Sequence, residues 1–218
     1  MNNTADLIVA HDPMCSWCWA FSRTLQSIED ALPAGISTTL LLGGLAPDSD
    51  QPMPADMQSH LSGIWRQIEQ HVPGTEFNHD FWTDCSPRRS TWPACRAMIA
   101  ALAQKPGADR QMSKAIQQAY YLNARNPSDD ETLISLAEDM GLDTKQFAAD
   151  LHSDETKAEH HRQRQICQQL GIQGYPSMVL ITDAEDGKAA HRVALDHNSA
   201  DVTLNHLNEL MSEHTAGS

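Results

Sequence analysis

Cysteine, positive charge and long apolar runs are all scarce in this 218-residue chain. Five cysteines (Cys15, Cys18, Cys85, Cys95 and Cys167) are too few and too unevenly spread to staple a small fold. In a reducing compartment such cysteines are catalytic, metal-binding or simply buried. Fifteen basic residues face 29 acidic ones, for a formal net charge of −14. That field opposes nucleic acid and anionic membrane surface, and the pairs Arg88-Arg89 and Arg162/Arg164 are too small to reverse it. The N-terminal segment MNNTADLIVAHDP has no basic stretch, and its apolar run, Leu7 to Ala10, is far too short for a signal segment or a membrane span. A cytoplasmic location with neither nucleic acid nor membrane as partner is therefore expected. No HExxH or other close metal-ligand spacing occurs among the eleven scattered histidines, so no dedicated metal site is expected. Internal repeats and low-complexity segments are missing as well.

What is present suffices for a full core, in one large domain or one domain carrying a big insertion. Asp6 to Ala10 reads as a short buried strand. From Cys15 to Ala31 the residues Trp17, Ala20, Phe21, Leu25 and Ile28 recur at helical spacing, until Pro33-Ala34-Gly35 ends the pattern. Ile36 to Leu42 reads as a second strand closed by Gly43-Gly44. Strand–helix–strand implies a parallel crossover.

Residues from about 54 to 170 read as helical. Ser128 to Glu131 has the pattern of a capping box, ahead of an apolar face of Leu133, Ile134, Leu136, Ala137 and Met140 that stops at Gly141. Asp143 and Gln146 open the next helix, with Leu142 and Phe147 spaced as a staple, and Ser153 caps another that stops at Gly171. Ser177 to Thr182 reads as a strand, 183–187 as a turn and Ala189 to Ala194 as a strand. A last helix over 199–212 should turn Val202, Leu207, Leu210 and Met211 inward.

Cys15-Ser16-Trp17-Cys18 sits where the first strand passes into a helix. Cysteines three apart on a first helical turn can bridge, and the leading one faces unpaired backbone N–H groups and the positive end of the dipole. A thiolate is stabilised there, and the thiolate is the attacking species. Cys15 is thus the candidate nucleophile and Cys18 the candidate resolving thiol. Two packing cysteines, or half of a zinc site, are the alternatives. Gly174-Tyr175-Pro176-Ser177 precedes the rear strand, making Pro176 a candidate cis-proline and leaving the backbone of Tyr175 free for an extended peptide. An ordinary trans-proline is the alternative. The pairing of C-x-x-C after the first strand with Pro before the third favours the redox reading.

DPMCSWCW, the helical insert and GYPS resemble the DsbA-like branch of the thioredoxin superfamily along nearly the whole chain, and in particular its cytoplasmic group of predicted disulfide isomerases. LLGGL (Leu41 to Leu45) and STWPACRA (Ser90 to Ala97) resemble that group too. The resemblance implies an α/β, thioredoxin-like fold with a large α-helical insertion. Residues 1–50 and 154–218 would form the thioredoxin-like part and 51–153 the insert. It also implies a nucleophilic Cys15, a resolving Cys18 and a cis Pro176, with no cofactor beyond the redox-active disulfide. Disulfide-containing proteins or small disulfides would be the substrates, with glutathione left open as co-substrate. Periplasmic DsbA has a secretion signal and a histidine between its cysteines, and this sequence has neither. With Ser16 and Trp17 neutral, only the helix terminus is expected to lower the Cys15 pKa, against Asp12, giving about 6 to 7.5. A cytosolic glutathione poise near −220 to −320 mV would leave a couple ~100 mV more oxidising reduced by about 4 to 5 kcal/mol. Reductase or isomerase is favoured over oxidase.

Met14, Trp17 and Trp19 surround the motif. Trp17 is the candidate for an exposed apolar lip that, with Tyr175 and Met14, would meet substrate, while Trp19 could equally pack the helix on the sheet. His11 and Asp12 could relay protons to Cys18, although a turn-forming Asp before Pro is the preferred reading. Cys95 shares a helical face with Met98 and Leu102 and should pack inward, Cys167 looks structural, and Cys85 falls in a polar loop. Two further functions compete. One is a glutathione-dependent isomerase or kappa-type transferase, a group that typically has Ser in place of Cys15 and no resolving cysteine. The other is a zinc-holding or redox-sensing protein using Cys15, Cys18 and Cys85.

Overall fold

The computed structural model describes residues 5–184 and 187–216. Four strands form one sheet in the order β2-β1-β3-β4. The central strand β1 (Ala5–His11) pairs in parallel with β2 (Ile36–Leu42) and antiparallel with β3 (Ser177–Ala184), and β4 (Gly187–Val193) pairs antiparallel with β3. Helix α1 (Ser16–Asp30) makes the crossover between β1 and β2. Because β1 is flanked on both edges and covered on both faces, its centre, Leu7 to Ala10, reads as an unbroken apolar run. Leu7 and Val9 join Phe21 and Ile28 of α1 and Leu207 of α9 (Ala200–Ala216), while Ile8 and Ala10 point the other way, to Cys167 of α8 (Asp154–Gln169).

Between β2 and α8 lie α2 (Ala55–His71), α3 (Phe81–Asp84), α4 (Trp92–Gln104), α5 (Ala108–Tyr121), α6 (Asp130–Asp139) and α7 (Thr144–His152). Their shared core is centred on Trp65, whose ring lies 4.7 to 5.8 Å from those of Phe77, Phe81, Trp82, Tyr120 and Tyr121. Ala94, Ala97, Ala100 and Ala101 of α4 are fully buried, and their small size lets the neighbouring helices approach closely. The expected α/β architecture with a long helical insert is what the chain adopts.

Several local readings hold. Asp143 caps α7 by accepting from the Gln146 N–H, and Ser153 caps α8 by accepting from the Thr156 N–H. Gly141 and Gly171 end α6 and α8 at φ +70° and +67°. Others need correction. Ser128 does not cap α6. Its hydroxyl is buried and donates to the Ser90 carbonyl at 2.6 Å, and the cap position falls on Asp129, whose carboxylate accepts from Asn126 and pairs with Arg88. A long-range partner outbid the local one. In α9 the inward stripe is Thr203, Leu204, Leu207, Leu210 and Met211, and Val202, one residue off it, is 43% exposed. Leu102 likewise leaves the face of Cys95 and Met98 for solvent. β3 runs through Asp183 and Ala184, so the turn is shorter than expected, and its residues 185–186 lie outside the described residues.

Candidate active site

The register of β1 brings the two motifs together. Ala10 is paired with both Leu41 and Ser177, so the strand delivers Asp12 to Cys15 beside the segment that ends in Tyr175 and Pro176. Cys15 is the N-cap of α1 in extended conformation, and its own N–H donates to the Asp12 carbonyl at 3.0 Å. The Tyr175–Pro176 peptide bond is cis. The Cys15 thiol donates to the Tyr175 carbonyl at 3.3 Å, so that carbonyl, expected to be free for a peptide, is occupied while Cys15 is protonated. Cys15 is 6% exposed and Cys18 2%: the candidate nucleophile has a narrow opening to solvent, and the second thiol is more deeply buried.

The two thiols are electrostatically unlike. The Cys18 thiol, hydrogen-bonding to the Cys15 sulfur, holds the Cys15 pKa below the ordinary thiol value, aided by the backbone N–H groups of Cys18 and Trp17 and opposed by burial and the Asp12 charge. The expectation that only the helix terminus acts on Cys15 is therefore incomplete, because the largest cause is its neighbour one turn away. Burial pushes the Cys18 thiol well above the ordinary range, and its bond to Cys15 raises it further.

Asp12 is fully buried. One carboxylate oxygen accepts from the Met14 N–H at 2.8 Å, and the other from the Leu45 N–H at 2.7 Å and the Thr91 hydroxyl at 2.8 Å. It ties the turn before Cys15 to the start of α4 and to the loop after β2. Burial raises its pKa against those three donors. His11, also buried, shares a hydrogen bond between Nε2 and the Ser113 hydroxyl at 2.8 Å, and burial lowers its pKa to about 4, with Arg110 helping.

Met14 is only 7% exposed and belongs to the helical core. Trp17 is half-buried, with its ring against that of His197 at 5.0 Å, so it is less open than a lip would be. Trp19 stacks on Tyr121 and packs the helix inward. Cys85 donates to the Ala124 carbonyl at 2.9 Å, Cys95 is fully buried in α4, and Cys167 is 2% exposed in α8. Among the described residues no group of three or more His, Cys, Asp and Glu side chains is placed to hold a metal ion. No described helix is long and apolar enough to cross a membrane.

Three contributors, Thr91, Gly43 and Gly44, have roles that the sequence alone does not reveal. Thr91 lies 79 residues from the Asp12 it binds. Gly43 and Gly44 do more than close β2: a Cβ on Gly43 would fall 2.0 Å from the Tyr175 ring, and one on Gly44 would fall 2.7 Å from the Trp92 ring. Gly44, at φ +117°, also needs a backbone that side chains disfavour. The signal available was the doubled glycine itself, and the STWPACRA string that contains Thr91.

The sequence profile of a family described as Thioredoxin matches residues 10–199. The chain belongs to that thioredoxin family. Among solved structures, this family member is similar to a candidate protein disulfide isomerase from Nitrosomonas europaea (TM-score 0.82, 24% identity, 97% of this chain and 99% of the other). It is also similar to the cytosolic disulfide reductase DsbM of Pseudomonas aeruginosa (TM-score 0.70, 21% identity, 98% and 100%), which has been solved with GSH as well. These likenesses establish the DsbA-like thioredoxin fold. In sequence it is 26% identical to the ClpXP adapter protein SpxH of Halalkalibacterium halodurans over 179 residues, 80% of this chain and 58% of that protein. The SpxH of Bacillus subtilis is 24% identical over a similar span. The chain thus spans well under two thirds of the length of these relatives.

Proposed function

We propose that this thioredoxin-family protein is a cytoplasmic thiol–disulfide oxidoreductase, working as a reductase or isomerase on disulfide-containing proteins or small disulfides. The observation that carries the reading is a Cys15 sulfur at a helix N-cap, held low in pKa by the Cys18 thiol and 3.3 Å from the Tyr175 carbonyl. The Cys15 thiolate attacks a substrate disulfide, forming a Cys15–substrate bond and releasing one substrate thiolate, which takes up a proton. Cys18 gives up its proton as it attacks Cys15. The mixed disulfide breaks, the Cys15–Cys18 disulfide forms and the second substrate thiol leaves. Two substrate sulfurs are reduced and two enzyme sulfurs oxidised. Once Cys15 bonds to substrate, the Tyr175 carbonyl loses its thiol donor and is available to a substrate N–H, in the manner of an added strand. Asp12 positions the turn, and a role for it or His11 in moving the Cys18 proton belongs to the same proposal.

The direction follows from the balance at Cys15. Its thiolate is favoured by hydrogen bonds and opposed by Asp12 and burial, and a less stabilised thiolate makes a weaker oxidant. Insulin and glutathione-disulfide reduction by wild type, Cys15→Ser and Cys18→Ser tests the reading. Turnover should vanish in Cys15→Ser, and a mixed disulfide should accumulate in Cys18→Ser. Undiminished turnover in Cys15→Ser overturns the mechanism.

A second reading, a protease adapter, is favoured by the names of the SpxH relatives. It predicts partner binding that survives Cys15→Ser, whereas the oxidoreductase reading predicts partners captured only through Cys15.

A further inference from the structure

Between α1 and α5 opens a cleft of about 360 Å³, which neither Cys15, Tyr175 nor Pro176 lines. Its volume lies at the lower end of small-molecule sites, about 300 to 1,000 Å³. The lining falls into three chemical parts. Its most buried part is polar. His11 and Ser113 share their hydrogen bond there, and one turn further along α5 lies Gln117, only 4% exposed. The Gln117 Nε2 is shielded from solvent and has no hydrogen-bond partner, a state that folded proteins rarely leave unmet. Trp19, Leu25 and Leu40 supply apolar wall. The exposed part carries Arg23 and Lys114, with Arg110 bonded at 2.6 Å to Glu29, the one acidic side chain of the lining. Arg23 donates to the Gly74 carbonyl, and among the described residues neither it nor Lys114 has a carboxylate partner. Two positive charges in excess stand out in a chain of net charge −14.

We propose that this cleft is a binding site for a small carboxylate that has an apolar body and a second oxygen acceptor. The carboxylate meets the cations of the exposed part, the body covers the apolar wall, and the acceptor takes the Gln117 N–H. Each part of the lining excludes another class of occupant. A small cation meets the excess positive charge, and a plain hydrocarbon leaves the Gln117 donor unmet. A ligand with a charge at one end and an acceptor at the other answers both. Binding is non-covalent and does not rest on disulfide exchange: Cys18 contributes wall to the cleft and takes no part as a reactant.

The test titrates the whole chain with para-acetylbenzoate, followed by calorimetry and located through the side-chain amide resonance of Gln117. Two analogues separate the contributions: para-isopropylbenzoate keeps the shape without the acceptor, and para-acetylbenzamide lacks the charge. The acetyl carboxylate should bind about fivefold more tightly than the isopropyl one, the worth of one hydrogen bond. Gln117→Met, which keeps the length of the side chain, should erase that difference. Lys114→Glu, on an exposed residue, should weaken both carboxylates severalfold and leave the neutral amide unchanged, and added salt should act in the same direction. Cys15→Ser should bind all three compounds as the parent does, which keeps this outcome separate from that of the oxidoreductase reading. No saturable binding at millimolar concentration, binding lost in Cys15→Ser, or binding indifferent to either cleft variant overturns the proposal.

Discussion

Gly43→Ala is the substitution for which the structure makes the sharpest demand. The new Cβ would fall 2.0 Å from Cζ of Tyr175, 2.3 Å from Cε1 and 2.4 Å from the hydroxyl. The glycine cannot give way easily, because its N–H donates to the His11 carbonyl at 2.8 Å and its carbonyl is bonded to Nε2 of His160 at 2.9 Å. The ring must move instead, by about 1.4 Å to reach the 3.4 Å of an ordinary contact. Tyr175 carries the carbonyl that meets the Cys15 thiol, so a displacement on this scale reaches the reacting atoms. Overpacking costs about 1 to 3 kcal/mol, and a misplacement of ~1 Å can cost on the order of 100-fold in rate. Urea unfolding and kcat/KM for insulin reduction should register both losses. Tyr175→Ala in the same chain removes the clash, so the double variant should be more stable than the two single effects predict when added, by about 1 kcal/mol or more. A Gly43→Ala protein with unchanged stability and rate, or strictly additive effects in the pair, would refute the reasoning.

Three other outcomes follow from the same contacts. Asp12→Asn removes the charge that raises the Cys15 pKa, so the midpoint of pH-dependent alkylation of Cys15 should move down, at some cost in stability where the Leu45 and Thr91 donors lose a carboxylate. His160, buried against Gly43, has its pKa lowered from 6.5 to about 4, mainly by burial. The unfolded chain then binds the extra proton first, so stability is present above pH 6.5 and is lost as pH falls toward 4, by at most about 3 kcal/mol at ~1.4 kcal/mol per pH unit. His160→Gln should flatten that part of the curve of unfolding free energy against pH. Arg96, 4% exposed, donates to both oxygens of Asp48 at 2.8 and 2.9 Å and to the Leu151 carbonyl at 3.0 Å. Arg96→Ala should therefore lower stability by about 2 kcal/mol in urea titration, and Asp48→Asn by less, since that carboxylate is half-exposed.

Local signals carried the parts of this fold that are decided locally. The β1–α1–β2 unit, the Asp143 and Ser153 caps and the glycine stops rest on neighbours within a turn of helix or a pair of strands, and each is where its residues imply. Cys15, Cys18 and Pro176 were legible as a pattern because two chemical signals sit at fixed places on one topology. Ser128 misled because its hydroxyl is claimed by Ser90, 38 residues away. Val202 misled because a helix face shifts by 100° per residue, so an apolar residue one position off the stripe meets water. The buried anchor under the site joins Asp12 to Leu45 and Thr91, and no spacing rule links such residues before the chain folds. The neighbour effect of Cys18 on Cys15 is different: it follows from the i, i+3 placement and was available in the sequence.

The central claim is that Cys15 is a poised nucleophile and Cys18 a suppressed one, and alkylation of the reduced protein as a function of pH measures it directly. With peptide-level detection, Cys15 should be modified first, with a midpoint below that of an unperturbed thiol, while Cys18 stays protected until well above it. A Cys15 that titrates at or above the ordinary thiol value, or a Cys18 modified first, would contradict the account.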